Sequence, residues 1–267
     1  VLCERDEFQT VVEYPYAGMS AEAAGIIRAK AEATNARDAL LGETCNFFEV
    51  LYSFHVHRTD FRSAALAMHE FADALGRDIA LVPPEEARLL LEGQRDALLA
   101  ARAALSLAAE DFAFLGAAGA GDAGATIVTG HRLDCLYAVA AARLELLIHG
   151  DDAAASGALA ASVLPADAVS QLAAAGMYDR ALSVARLHSI EDECFGLIFE
   201  SLADRCVRQT VEADFPDEWL QFNDHVSDSV GAAEKAWRLL EGLIARYDGD
   251  SGRNYELHLR VADRILG

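Results

Sequence analysis

Three groups of residues in this 267-residue chain have types and spacings that could carry chemistry. Gly119-Ala-Gly121-Asp-Ala-Gly124 spells G-x-G-x-x-G. In dinucleotide-binding proteins that pattern follows a strand and opens a helix, so that a pyrophosphate meets free N–H groups at the helix end. Here a long helical pattern precedes it and Thr126-Ile127-Val128-Thr129 follows, which favours a flexible loop. His55 and His57 look like a metal pair, but residues two apart on a helix point about 200° apart. His55 reads better as a partly buried, hydrogen-bonded side chain. Asp151-Asp152 and Asn223-Asp224-x-x-Ser227 could hold magnesium against a diphosphate, as in a terpenoid synthase. The first pair wants a further acid where Ala155 stands, and the second wants Glu where Gly231 stands. There is no G-x-S-x-G elbow, and no cysteine has a recognisable histidine partner. No catalytic residue, metal ligand or cofactor-binding residue is assigned, and no cofactor is expected. Trp219, Phe222 and Trp237 remain as candidate partner anchors, because aromatic residues dominate interface hot spots; the alternative is that they are core.

The elements that would position these residues read as helices throughout. Residues 47–76 encode two amphipathic helices with a very short break at Arg58–Asp60. Phe47, Leu51, Phe54 and the edge of His55 share one face; Phe61, Ala64, Ala65, Met68, Ala72 and Leu75 share another. So short a connection forces an antiparallel pair. Residues 1–19 read as an extended lead-in broken by Pro15 and Gly18. Ser20 caps a helix to about Leu41, ended by Gly42. Pro83-Pro84-Glu85-Glu86 opens a long helix, with Leu98, Ala101, Leu105, Ala108, Phe112 and Leu115 as its inward stripe. Residues 116–130 are a glycine-rich loop. A helix over 131–149 turns Leu133, Leu136, Ala140, Leu144 and Leu147 inward. Pro165 opens a short helix, Gly176 reverses the chain and Tyr178 opens the next. Ser189-x-x-Asp192 resembles a capping box for a helix over 190–210. Trp219, Phe222 and Trp237 fall in shorter elements, and a last pair covers about 232–247 and 254–266. The expected fold is all-α: an irregular α-solenoid of stacked antiparallel hairpins, about ten helices with no significant β-sheet, running as a single segment over 20–267.

Composition narrows the function. The chain is 53% hydrophobic, with 22 Lys+Arg against 43 Asp+Glu and a formal net charge of −21. Such a surface repels phosphate backbones, which argues against direct contact with nucleic acid or an anionic membrane. No small-molecule substrate is indicated. The five cysteines are scattered and contain no C-x-x-C pair, which favours buried thiols in a reducing compartment. No run of eighteen uncharged apolar residues is present. The start VLCERDEF lacks Met and the basic character of a signal peptide, so the chain reads as a piece of something longer.

Several stretches together resemble one family. They begin at Leu2-Cys3 and Glu13-Tyr14-Pro15-Tyr16 and continue through Ile26-Ile27. They are densest over Phe47–Gly76, above all Leu51-Tyr52-Ser53-Phe54-His55 and Arg62 to Phe71. They reappear at Leu91-Glu92-Gly93-Gln94, Ala141–Leu147, Gly176-Met177-Tyr178-Asp179, Phe199-Glu200-Ser201-Leu202-Ala203 and Asn254-Tyr255. In this collinear order the chain resembles the helical region of the nucleoporin 160 family, called nucleoporin 120 in fungi. The resemblance implies a scaffold of the nuclear pore's outer rings, in the nuclear envelope, without catalysis. It implies other outer-ring nucleoporins of the Y-shaped subcomplex as partners, and a β-propeller ahead of the helical region. The glycine tract, the alanine richness and the acidity are departures from the family. The alternatives are a terpenoid-synthase-like helical enzyme and an α-solenoid of another assembly, such as a vesicle coat.

Overall fold

The computed structural model describes residues 8–116, 127–149, 164–212, 214–223, 231–250 and 256–266. Among these there are twelve α-helices and one two-stranded antiparallel pair. The helices are α1 (Phe8–Glu13), α2 (Ser20–Ala33), α3 (Ala36–Leu40), α4 (Phe47–His57), α5 (Phe61–Asp78), α6 (Pro84–Ser106) and α7 (Gly130–His149). They continue with α8 (Pro165–Ala175), α9 (Tyr178–Leu187), α10 (Glu191–Val211), α11 (Ala232–Asp250) and α12 (Glu256–Leu266). The strands β1 (Phe114–Leu115) and β2 (Val128–Thr129) pair Phe114 with Thr129 and Leu115 with Val128. The expected all-α class holds. The glycine tract, Asp151-Asp152 and Asp224 lie outside the described residues.

The single segment expected over 20–267 separates into two compact units, one holding described residues up to Ile148 and the other those from His149 onward. In the first, α5 is the central helix. Ala64, Ala65, Ala72 and Leu75 are fully buried, and small side chains let α6 approach closely. Leu90, Leu91, Leu98 and Leu105 of α6 and Leu133, Ala140 and Leu144 of α7 complete that core. A second cluster packs Val11 and Ile27 against Val50, Leu51 and Phe54. Helix α4 is thus buried on two sides: Phe48 stacks on Phe71 at 5.2 Å, while Leu51 and Phe54 face α1 and α2. Burying each such side chain contributes about 1.5–3 kcal/mol.

Close packing on α6 accounts for Gly93-Gln94. A Cβ on Gly93 would lie 2.7 Å from Leu40 Cδ2 of α3, so a larger residue there would have to push that leucine aside. Gln94 occupies the space a Cβ on Gly76 would need, and its Nε2 donates to Ala72 O at 3.1 Å.

In the second unit α10 is central. Phe195, Ile198, Phe199, Leu202 and Cys206 are buried among side chains of α8, α9, α11 and α12. Burial pushes the Cys206 thiol up to about 12, and its Sγ donates to Ala236 O at 3.3 Å.

Several boundaries differ from the sequence reading. Residues 8–13 of the extended lead-in are helical. The helix expected over 20–41 is two helices, because Asn35 Oδ1 accepts from Arg37 N and Asp38 N and restarts the chain as α3. Ser20 is the first residue of α2 rather than its cap. Helix α6 stops at Ser106, so Ala108, Phe112 and Leu115 do not extend its stripe, and Phe112 is exposed. Ser189 forms no capping box; it takes a left-handed φ of 55° and α10 starts without a side-chain cap. Trp237 belongs to the 19-residue helix α11, not to a short element.

Candidate partner interface

The candidate anchors occupy different environments in the second unit. Trp219 sits in the 3-10 helix Glu218–Phe222 and is 3% exposed. Its ring meets Tyr178 edge-on at 5.7 Å and 88°, its Nε1 donates to Gln209 Oε1 at 3.4 Å, and the Arg205 guanidinium lies 5.5 Å from its centroid. It is a core residue and offers a partner nothing in this form. Phe222 is half-buried. Trp237 is also half-buried, and its Nε1 donates to Thr210 Oγ1 at 3.0 Å. On α10, Val211, next in sequence to Thr210, is exposed, and the Arg208 guanidinium lies 4.4 Å from the Phe215 ring centroid. An aromatic ring, an arginine over a second ring and an open apolar side chain make a composition suited to protein contact.

Asn223 is the residue whose role the sequence did not give. Its amide is buried and fully engaged, with Oδ1 accepting from Tyr178 N at 2.8 Å and Asp179 N at 3.2 Å. Nδ2 donates to Gly176 O at 2.8 Å and Trp219 O at 2.9 Å. Asn223 therefore caps α9 from 45 residues downstream. Gly176 must be glycine here: its φ is +84°, and a Cβ would lie 2.7 Å from Trp219 Cβ and 2.9 Å from Arg205 Nη1. Tyr178 is buried, its hydroxyl pairs with Ser201 Oγ at 3.3 Å, and burial pushes it up to about 12. This geometry accounts for Gly176-Met177-Tyr178-Asp179.

The first unit has a groove of about 470 Å³ beside the α4–α5 turn, lined in part by Arg28, Phe54, His55, Arg58 and Asp60. Its charged groups are structurally committed. Arg28 pairs with both oxygens of Glu70, at 2.7 and 2.9 Å. Arg58 donates to Val12 O, Phe54 O and Tyr14 O, each at 3.0 Å, and its guanidinium lies 3.5 Å from the Phe54 ring centroid. It fastens α1 to the end of α4. His55 Nδ1 lies 3.2 Å from Asp60 Oδ2. Burial is the main influence on that imidazole and lowers its pKa, with Asp60 opposing. His55 is thus the partly buried, bonded side chain its sequence position indicated.

One pairing escaped the sequence reading: Cys135 Sγ lies 3.7 Å from His131 Nε2, one turn away on α7. Burial raises the Cys135 thiol, with Arg132 opposing, which is the reverse of the shift a nucleophile needs. Among the described residues no three His, Cys, Asp or Glu side chains are placed to share a metal ion. No described helix is long and apolar enough to cross a membrane.

Short antiparallel helical pairs, packed through apolar stripes with their charged groups tied into structure, define a helical-repeat protein. The chain belongs to the Nup160 family: the NUP160/120 middle TPR model matches residues 1–107 and the Nup160 C-terminal TPR model matches residues 131–267. The nuclear pore complex protein Nup160 of Homo sapiens is 29% identical over the whole chain, and that of Mus musculus 28%. The chain spans 19% of the human protein's length and 20% of the mouse protein's. Nothing in this membership supports the enzyme alternative. The two family models and the two units do not share a boundary. Helix α7 falls under the C-terminal model, yet its Leu133, Ala140 and Leu144 pack in the core of the first unit.

Proposed function

We propose that this chain is a structural segment of a scaffold nucleoporin in the outer ring of the nuclear pore, where it supports pore assembly and the transport of protein and mRNA by holding neighbouring proteins in fixed geometry. The observation that carries this reading is the collinear match of both halves to two Nup160 TPR models, with relatives aligned over the whole chain. The architecture is consistent with it: each unit is held by its own core. In the finer reading the partners are other outer-ring nucleoporins of the Y-shaped subcomplex, and the location is the nuclear envelope. Within the second unit, the half-buried Trp237 and Phe222, not the buried Trp219, are the candidate contact residues.

Affinity capture of the full-length gene product from cross-linked cells tests this. Recovery of outer-ring nucleoporins is the expected result, whereas vesicle-coat subunits in their place would overturn the assignment. Trp237→Ala, which empties no fully buried site, is expected to leave the fold intact and weaken partner recovery if its face is the contact. Unchanged recovery would remove Trp237 from the interface.

A further inference from the structure

The sequence offers Asn223 as part of a metal-binding pair, whereas its buried amide is occupied by four backbone groups. We propose that residues 218–223 form a clasp that opens and closes as one unit with the first turn of α9.

The clasp has two grips. The first is Asn223. One face of its amide caps α9, and the other closes on Gly176 O and on Trp219 O of its own segment. Met177, the residue preceding α9, supplies no side-chain cap, so Asn223 does what a local Ser, Thr, Asp or Asn does at other helix starts. The second grip is Trp219, set against Tyr178 and under Arg205, with a glycine at 176 leaving it room.

Neither partner stands without the other. Withdrawing Asn223 strands two N–H groups at the start of α9, in a buried setting where an unpaired donor costs more than an ordinary hydrogen bond contributes. It also strands Gly176 O and Trp219 O, which leaves the 3-10 segment held by side chains alone: Trp219, the buried Leu220, and Phe222, whose ring lies 4.9 Å from that of His149. Opening is therefore concerted. The open form bares Tyr178 and Trp219, an aromatic pair of the kind that anchors protein contacts.

Residue-resolved hydrogen exchange by NMR on the full 267-residue chain tests the clasp. In the wild type, the amides of Tyr178 and Asp179 and those of 219–223 are expected to exchange with one common opening equilibrium. Asn223→Ala should accelerate both segments together, by roughly 2- to 30-fold, the range that loss of a helix cap represents. Amides inside α10, at Phe199 and Leu202, should keep their protection. Asn223→Asp retains the acceptor but loses the donor, and should also accelerate both segments. If Asn223→Ala unfolds the unit, Gln209→Ala, which removes the Trp219 indole bond and the bond from Gln209 Nε2 to Phe215 O, should still accelerate both segments by one shared factor. Fast exchange at 219–223 with protection retained at Tyr178 and Asp179, in the wild type or in any variant, would overturn the proposal.

Discussion

The α4–α5 hairpin in the first unit is capped from within its own turn, and the α8–α9 hairpin in the second is not. At Arg58–Asp60, Asp60 N donates to His55 O at 2.9 Å and Thr59 N to Val56 O at 2.9 Å, which closes α4. Asp60 Oδ1 then accepts from Ser63 N at 3.1 Å and starts α5. At Gly176–Met177 the same backbone closure appears, with Met177 N donating to Leu172 O at 2.9 Å and Gly176 N to Ala173 O at 3.0 Å. The start of α9, however, depends on Asn223. The left-handed residue differs as well. Thr59 takes a φ of 57° with a side chain in place, while Gly176 could accept no side chain against Trp219 and Arg205. One turn is self-sufficient and slightly strained; the other is relaxed but relies on a distant segment. Short-range design caps a hairpin within its own turn, and long-range design ties a hairpin to the integrity of its whole unit.

That contrast is open to direct attack. The largest effects belong to the packed side chains. Trp219→Ala should destabilise the second unit by about 3–5 kcal/mol, and Leu51→Ala the first by about 2–5 kcal/mol. Each should be visible in denaturant unfolding followed by probes placed in one unit. An unchanged midpoint for either would remove that residue from the core. Gly176→Ala should follow, at roughly 2–4 kcal/mol, since it combines left-handed strain with overpacking against Trp219. A smaller loss than that of Asp60→Ala would mean that the Trp219 contact yields easily. Asp60→Ala should cost about 0.5–2 kcal/mol and loosen only the start of α5 and the His55 end of α4 in hydrogen exchange; spread of the effect to α6 would contradict a local cap.

A pH effect separates the turns further. The folded-state pKa of His55 is depressed by burial, so the unfolded chain takes up the proton first as pH falls. The stability this neutral imidazole contributes is present above the ordinary histidine value of about 6.5 and declines as pH drops below it. Denaturant titrations of wild type and His55→Gln between pH 7 and 5 should diverge, with the wild type losing more; parallel curves would contradict it. The smallest effect expected is a gain. Thr59→Gly should relieve strain at φ 57° and stabilise the turn by up to about 1 kcal/mol, offset in part by unfolded-state entropy. A clear loss in thermal unfolding would show that the threonine side chain matters more than its backbone.

The parts of this fold visible in the sequence are those governed by neighbours along the chain. The apolar steps of α4 and α5, the proline-acid start of α6 and the reversal at Gly176 all act within a few residues, and each is where the pattern places it. The break at Asn35 was hidden because alanine-rich sequence on both sides favours helix, and only the side-chain cap reveals that the chain restarts. Asn223 could not be read, since three of its four partners are 44 to 47 residues away and its neighbour Asp224 suggested a metal instead. Arg58 was equally opaque: nothing in its spacing announces that it gathers carbonyls at Val12 and Tyr14. The buried position of Trp219 follows from Tyr178, Arg205 and Gln209, which lie on other helices.

The scaffold assignment is tested most directly by where the protein sits in living cells. The full-length gene product, tagged at its own locus and imaged by super-resolution fluorescence, should form punctate rings around the nuclear envelope, coincident with pores. A diffuse cytosolic pattern, or one on transport vesicles, would contradict it.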